Sequence, residues 1–213
     1  MIELYYYPGN ANLAPHMLLE ELGVPHQLVL VDRGIAAHKS EAYLKLNPHG
    51  RLPTLVEGEL VLFETAAICL HLLDTHPQAQ MAPAVGTAAR AHFYKWLVYL
   101  TNTVQADMLL YFYPERLCDD PAEAARLKHR AEARIAGMFD HIEASLAEHG
   151  ADYLLGERYS AVDPYLFMLA RWTRMMERPA RSRPRLGAYL ARLAERPAVQ
   201  RAFAAEGIAA PFC

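Results

Sequence analysis

The sequence predicts two domains, an α/β domain followed by an all-α one. Three observations carry this reading. β-rich runs and helical periodicity alternate through the first third of the chain, a Pro/Ala/Gly-rich stretch at residues 75–87 has no periodicity, and every later segment repeats its apolar positions at helical spacing. With 213 residues, the chain can bury one large core or two modest ones. The expected boundaries are 1–78 for the first domain and 87–213 for the second.

Taken in order, residues 2–7 form a β-rich run that stops at Pro8-Gly9. Residues 13–22 then carry helical periodicity and close on Gly23 as a C′ residue. Residues 27–31 read as a second strand, and a strand, helix and strand within about 30 residues make a βαβ unit with parallel strands. Residues 40–46 read as a short helix. Runs at 54–56 and 60–63 flank Glu57-Gly58-Glu59 and make a hairpin, since Gly supplies the φ > 0 of a short connection. A helix over 66–73 completes a β-α-β-α-β-β-α order. The second domain is expected to hold helices over 88–111, 121–149, 162–177, 187–195 and 198–204. In it, Ser160-Ala161-Val162-Asp163 is a capping-box variant, so Asp163 is read as a structural carboxylate rather than a catalytic one.

Composition excludes several function classes. The hydrophobic fraction of 53% and charged fraction of 21% are those of an ordinary globular protein. A net charge of −3 without a basic block argues against nucleic acid. No window holds about 18 uncharged apolar residues, and the N-terminus lacks a basic flank, so no membrane association and a cytoplasmic location are expected. Three cysteines without a C-x-x-C suggest neither a disulfide framework nor a zinc site, and no metal is expected; Cys69, in an apolar helical run, reads as a small core residue.

Function is concentrated in residues 47–68, N-P-H-G-R-L-P-T-L-V-E-G-E-L-V-L-F-E-T-A-A-I. Glu64 and Thr65 stand where a strand stops and a helix starts, so free N–H groups and the positive end of a helix dipole offer a carboxylate site. Leu52-Pro53 opens a strand with a residue that cannot donate to the ladder; a cis bond there would free the Leu52 backbone for an extended peptide ligand. The pattern N-P-x-G-x-[LV]-P followed by E-[ST]-x-A-I resembles the glutathione site of the cytosolic glutathione S-transferases, and the terminal R-L-A-E-R-P-A-V is similar to their closing segment. The resemblance covers essentially the whole chain. It implies a thioredoxin-like N-terminal domain, an all-helical substrate-binding domain, glutathione as co-substrate without a metal, and a homodimer.

Residue roles follow from the same resemblance. Thr65 is expected on the γ-glutamyl carboxylate, Glu64 on its ammonium, and Leu52 next to Pro53 on the cysteinyl backbone. His38 and Lys39 resemble a phi-class basic pair that reaches the glycine carboxylate; Arg51 can serve the same anion, and a solvated loop is the alternative for the pair. The run Y-Y-Y-P-G-N-A-N-L-A-P-H is similar to the beta class, with Ala11 where that class has its cysteine and Asn12 where it has a serine. A thiol with a pKa near ~8.5 needs a shift of one to two units, roughly 1.4–2.7 kcal/mol, to become thiolate at neutral pH, and one charge-assisted hydrogen bond supplies that.

Asn12 is the first candidate donor, with a plain N-cap as its alternative; Tyr6 lies in the register of the catalytic tyrosine of other classes, or fills a strand surface; Asn10 and backbone N–H groups are the remaining option. Gln105, Tyr111 and Tyr113 are expected to line an electrophile pocket, unless the aromatics are core. The expected activity is conjugation of glutathione to small hydrophobic electrophiles. Glutathione-dependent reduction of disulfides or peroxides is the alternative within enzymes, and a non-catalytic binding or regulatory protein the alternative outside them.

Overall fold

The computed structural model describes all 213 residues. In chain order the first elements are β1 (Ile2–Tyr6), α1 (Leu13–Leu22), β2 (His26–Leu30), α2 (Glu41–Leu46), β3 (Thr54–Glu57), β4 (Leu60–Phe63) and α3 (Thr65–Thr75). They form one four-stranded sheet in the order β2-β1-β3-β4, the thioredoxin-like arrangement expected from the sequence. β1 pairs parallel with β2, while β3 runs antiparallel to both β1 and β4. Apolar alternation fixes the register: Leu4 stands opposite Leu55, and both are fully buried.

The boundaries at 87 and 213 need one correction. The first compact unit is Met1–Ala82 together with Leu193–Phe212, and the second is Pro83–Arg192 with Cys213. The reason lies in α1, which buries every residue from Leu13 to Leu19 and so needs cover on more than one side. The closing helix α9 supplies it: in this element, Pro197–Ala205, the residues Ala198, Val199, Ala202 and Phe203 are buried, and it packs on α1. Arg196 adds a bidentate pair to Glu21, at 2.5 and 2.9 Å.

The second unit is all helical: α4 (Ala88–Val98), α5 (Gln105–Phe112), α6 (Pro121–His149), α7 (Val162–Trp172) and α8 (Pro184–Ala194). The expected single helix over 88–111 is broken by a π-helical stretch, Tyr99–Val104, whose wider turn lets Gln105 N–H reach the Leu100 carbonyl. The helix expected over 162–177 stops at Trp172, where Thr173 Oγ1 donates to the Ala170 carbonyl and accepts from Ala180 N–H. No helix is long and apolar enough to cross a membrane.

Asp163 anchors this unit. It is fully buried, and its carboxylate accepts from Leu154 N–H (3.0 Å), Ser160 N–H (2.7 Å), Ser160 Oγ (3.2 Å) and Tyr189 Oη (2.7 Å). Asp163 therefore makes the return half of the capping box and ties two further segments to the start of α7. Replacing it leaves several buried donors without an acceptor, each costing about 1–3 kcal/mol. Asp163→Ala should lower unfolding stability by about 3 kcal/mol or more in urea titration; a loss within experimental error would refute this role.

Candidate functional site

The site is built by strand register. Tyr5 in β1, Thr54 in β3 and Phe63 in β4 stand in one row across the sheet. β1 leaves that row at its C-terminal end, β3 enters it at its N-terminal end, and β4 leaves at its C-terminal end. Three chain segments therefore converge on one sheet edge: the β1–α1 turn, Leu52-Pro53, and Glu64-Thr65.

The β1–α1 turn is closed by Asn10 N–H on the Tyr7 carbonyl at 3.1 Å, with Pro8 second and Gly9 third at φ 71°, the type II signature that only glycine adopts without strain. Gly9 N–H then donates to Glu206 Oε2 at 2.8 Å. Glu206 lies just past α9 and is 4% exposed. Its other oxygen takes Asn12 Nδ2 and His16 Nδ1, each at 2.8 Å. One buried carboxylate thus fixes the turn and the first helical turns behind it.

This arrangement corrects the role of Asn12. Its side chain is 0% exposed, its Nδ2 is committed to Glu206, and its Oδ1 accepts from Tyr7 N–H at 3.2 Å. It stands at the N-cap of α1 but makes no side-chain cap bond. Asn12 is a positioning residue for the turn. Asn10, half-buried at the turn's end, is presented differently. Arg33 Nη1 donates to its Oδ1 at 3.0 Å, so the amide is oriented while Nδ2 has no partner in the chain. Tyr6 is half-buried, on the same strand face as the buried Ile2 and Leu4.

The second segment owes its shape to Asn47, which is 2% exposed. Its Oδ1 accepts from His49 N–H at 3.1 Å and its Nδ2 donates to the Arg51 carbonyl at 2.8 Å, which Tyr43 Oη also reaches at 2.6 Å. Gly50, at φ 57°, lies so close to the His38 carbonyl that a Cβ would sit 2.8 Å from that oxygen. The close approach brings the His38-Lys39 turn against the Asn47–Gly50 turn. Leu52 follows with a cis bond to Pro53, and neither its N–H nor its C=O is hydrogen-bonded within the chain. His38 is half-buried; Lys39 and Arg51 are exposed cations.

At the third segment, Glu64 holds φ 73° and ψ 113° as the N-cap of α3, a conformation that costs a non-glycine residue of order 1–3 kcal/mol. Its exposed carboxylate makes no cap bond. Thr65, 5% exposed, is the first residue of α3, where backbone N–H groups are free.

In the second unit, Gln105 Oε1 accepts from Tyr165 Oη at 2.5 Å, and Thr101 Oγ1 takes the same hydroxyl at 2.9 Å. Tyr111 is 8% exposed, with Lys128 Nζ 4.8 Å from its ring centre. Tyr113 is half-buried under Arg116 at 3.9 Å. No cysteine is poised for chemistry: burial pushes the Cys69 and Cys213 thiols up to about 12, and burial with three acidic neighbours raises that of Cys118.

Sequence reasoning missed Glu206, Arg33 and the anchoring role of His16. No local motif flags Glu206, whose partners lie 190 to 197 residues away in the chain. A lone acidic residue after a short apolar helix is the faint signal available.

Comparison with known proteins gives a consistent result. The family model described as Glutathione S-transferase, N-terminal domain matches residues 1–74, and that for the C-terminal domain matches residues 99–197. The chain is 29% identical to glutathione S-transferase GstA of Escherichia coli O157:H7 over 97% of this chain and 100% of that protein. It is 30% identical to glutathione S-transferase 3 of Zea mays, over 96% and 94% of the two chains. The solved sphingomonad glutathione S-transferase complexed with glutathione superposes with a TM-score of 0.83 at 31% identity, over 97% and 100%.

The geometry of the turn generates a prediction. Asn12→Ala removes a charge-assisted bond to Glu206 and the acceptor for Tyr7 N–H, together worth about 2–4 kcal/mol. Chemical denaturation should show a loss of that size. A neutral result would mean that the turn holds its shape without the amide.

Proposed function

The chain belongs to the glutathione S-transferase family, and on that premise we propose that it conjugates glutathione, its co-substrate, to small hydrophobic electrophiles. The observation that carries this reading is the convergence at one end of the sheet of the β1–α1 turn, Leu52-Pro53 and Glu64-Thr65. The free N-terminus of α3 with Glu64 suits an α-amino acid head group: Thr65 and the backbone N–H groups for the carboxylate, the Glu64 carboxylate for the ammonium. The unpaired N–H and C=O of Leu52 suit the cysteinyl unit in an extended peptide, as in strand addition. His38, Lys39 and Arg51 supply positive charge for the glycine carboxylate.

The thiolate is assigned to Asn10. Its oriented Nδ2 can donate to sulfur at the positive end of α1, and a charge-assisted bond of about 1.5–3 kcal/mol matches the shift that ionisation needs. Tyr6, half-buried on the core-facing side of β1, is the less suited donor. The electrophile is given to the second unit, with Gln105, Tyr111 and Tyr113 as its proposed lining. Residence in the cytoplasm and assembly as a homodimer complete the proposal; sedimentation of the purified protein checks the second.

Calorimetry tests the binding half. Glu64→Ala should weaken glutathione binding at least tenfold, since a charged hydrogen bond is worth about 1.5–3 kcal/mol, and unchanged affinity would sink the assignment. A conjugation assay with an aromatic chloride tests the chemistry. A variant with Cys69, Cys118 and Cys213 replaced should keep its conjugation rate, because none of these thiols is activated; loss of activity in a folded variant would identify a protein nucleophile instead.

A further inference from the structure

Away from that sheet edge, α1 and β2 carry a cluster that the reaction does not use. His16 and Glu20 are four residues apart on α1 and share a helical face, and His26 opens β2 after the reversal at Gly23. One ring nitrogen from each histidine and one Glu20 carboxylate oxygen all lie within 4.8 Å of one another.

The hydrogen bonds around the cluster determine what it can hold. His16 Nδ1 lies 2.8 Å from Glu206 Oε1, and a carboxylate oxygen accepts there, so Nδ1 carries the proton and the neutral imidazole has its lone pair on Nε2. That Nε2 is buried and has no partner. His26 repeats the pattern: Nδ1 faces the Val24 carbonyl at 2.8 Å, which again only accepts, and Nε2 lies 3.8 Å from Glu20 Oε1. Arg201 takes the other Glu20 oxygen, leaving Oε1 open. With both imidazoles neutral, two lone pairs and a carboxylate oxygen share one small space, an arrangement that a bound metal ion or an added proton relieves.

We propose that His16, Glu20 and His26 form a site for a divalent late first-row transition ion, with zinc the best fit. Two imidazoles and one carboxylate suit that metal class, and water can fill the fourth position. Each histidine already has the partner typical of a metal ligand, a carboxylate for His16 and a backbone carbonyl for His26. Metal–ligand bonds of about 2.0–2.2 Å in a tetrahedron place ligand atoms about 3.3 Å apart, so the cluster must tighten modestly. His26 and Glu20, with side chains 10% and 18% exposed, can rotate to do so and leave an entry path. The ion ties β2 to α1 and, through Glu206, to the β1–α1 turn. The inference stands on this geometry and does not depend on the glutathione reading.

The test uses the full-length, tag-free chain stripped with chelator and titrated with cobalt(II), then zinc. One cobalt ion per chain should bind with the visible absorption of a low-coordinate site, zinc should displace it, and zinc should raise the unfolding temperature. His26→Ala and Glu20→Gln, at partly exposed positions, should each weaken binding at least tenfold while circular dichroism stays native. With ten histidines in the chain, ions can also collect elsewhere. Absence of saturable binding in the wild type, or undiminished binding in both folded variants, overturns the site.

Discussion

The carboxylate of Glu206 is the constraint on which the rest of the site depends. A buried charge is tolerated only when donors replace its water. Gly9 N–H, Asn12 Nδ2 and His16 Nδ1 do so, each at 2.8 Å. Because those donors belong to the first turn and first helix, the end of the chain determines the shape of its beginning. The β1–α1 turn is therefore complete only when α9 has packed on α1. Such pairings across nearly the whole sequence form late and slowly in folding.

A rigid turn is what the chemistry of a small thiol calls for. The chain offers no activated nucleophile of its own, since burial holds two of its thiols near 12 and raises the third. Rate enhancement must then come from placing donors where charge develops on the bound thiol. Asn10 is our proposed donor because Arg33 holds its Oδ1 and leaves its Nδ2 available. The unusual backbone of Glu64 belongs to the same logic. Held at φ 73° between β4 and α3, it aims a carboxylate outward beside free helix N–H groups, and the strand before it and the helix after it sustain that strain.

How much of this was legible in the sequence depended on how local each determinant was. Gly23 ended α1 and α6 spans 121–149 as read, because caps act within a turn of the residue that carries them. Leu52-Pro53 stands just before β3 and Glu64-Thr65 at the β4–α3 junction as read, because a proline and the end of a β-rich run are local signals. The break at Tyr99–Val104 was not, since a π turn preserves apolar spacing closely enough to read as one helix. The partners of Asn12 were hidden for a related reason. Its sequence position is that of a cap, whereas its amide serves a carboxylate 194 residues away. Tertiary partners of that kind leave no periodicity to read. The closing helix was assigned to the wrong unit because nothing near it announces that α1 needs cover on two sides.

The central claim is that an oriented amide at the β1–α1 turn, rather than a tyrosine hydroxyl or a protein thiol, holds the glutathione thiolate. The most direct measurement is the ultraviolet thiolate absorbance of bound glutathione as a function of pH, in wild type, Asn10→Ala and Tyr6→Phe. Loss of one charge-assisted bond corresponds to a rise of about one to two pKa units. The account predicts that rise for Asn10→Ala and an unmoved titration for Tyr6→Phe. A titration shifted by the Tyr6 substitution and unmoved by the Asn10 substitution would contradict it.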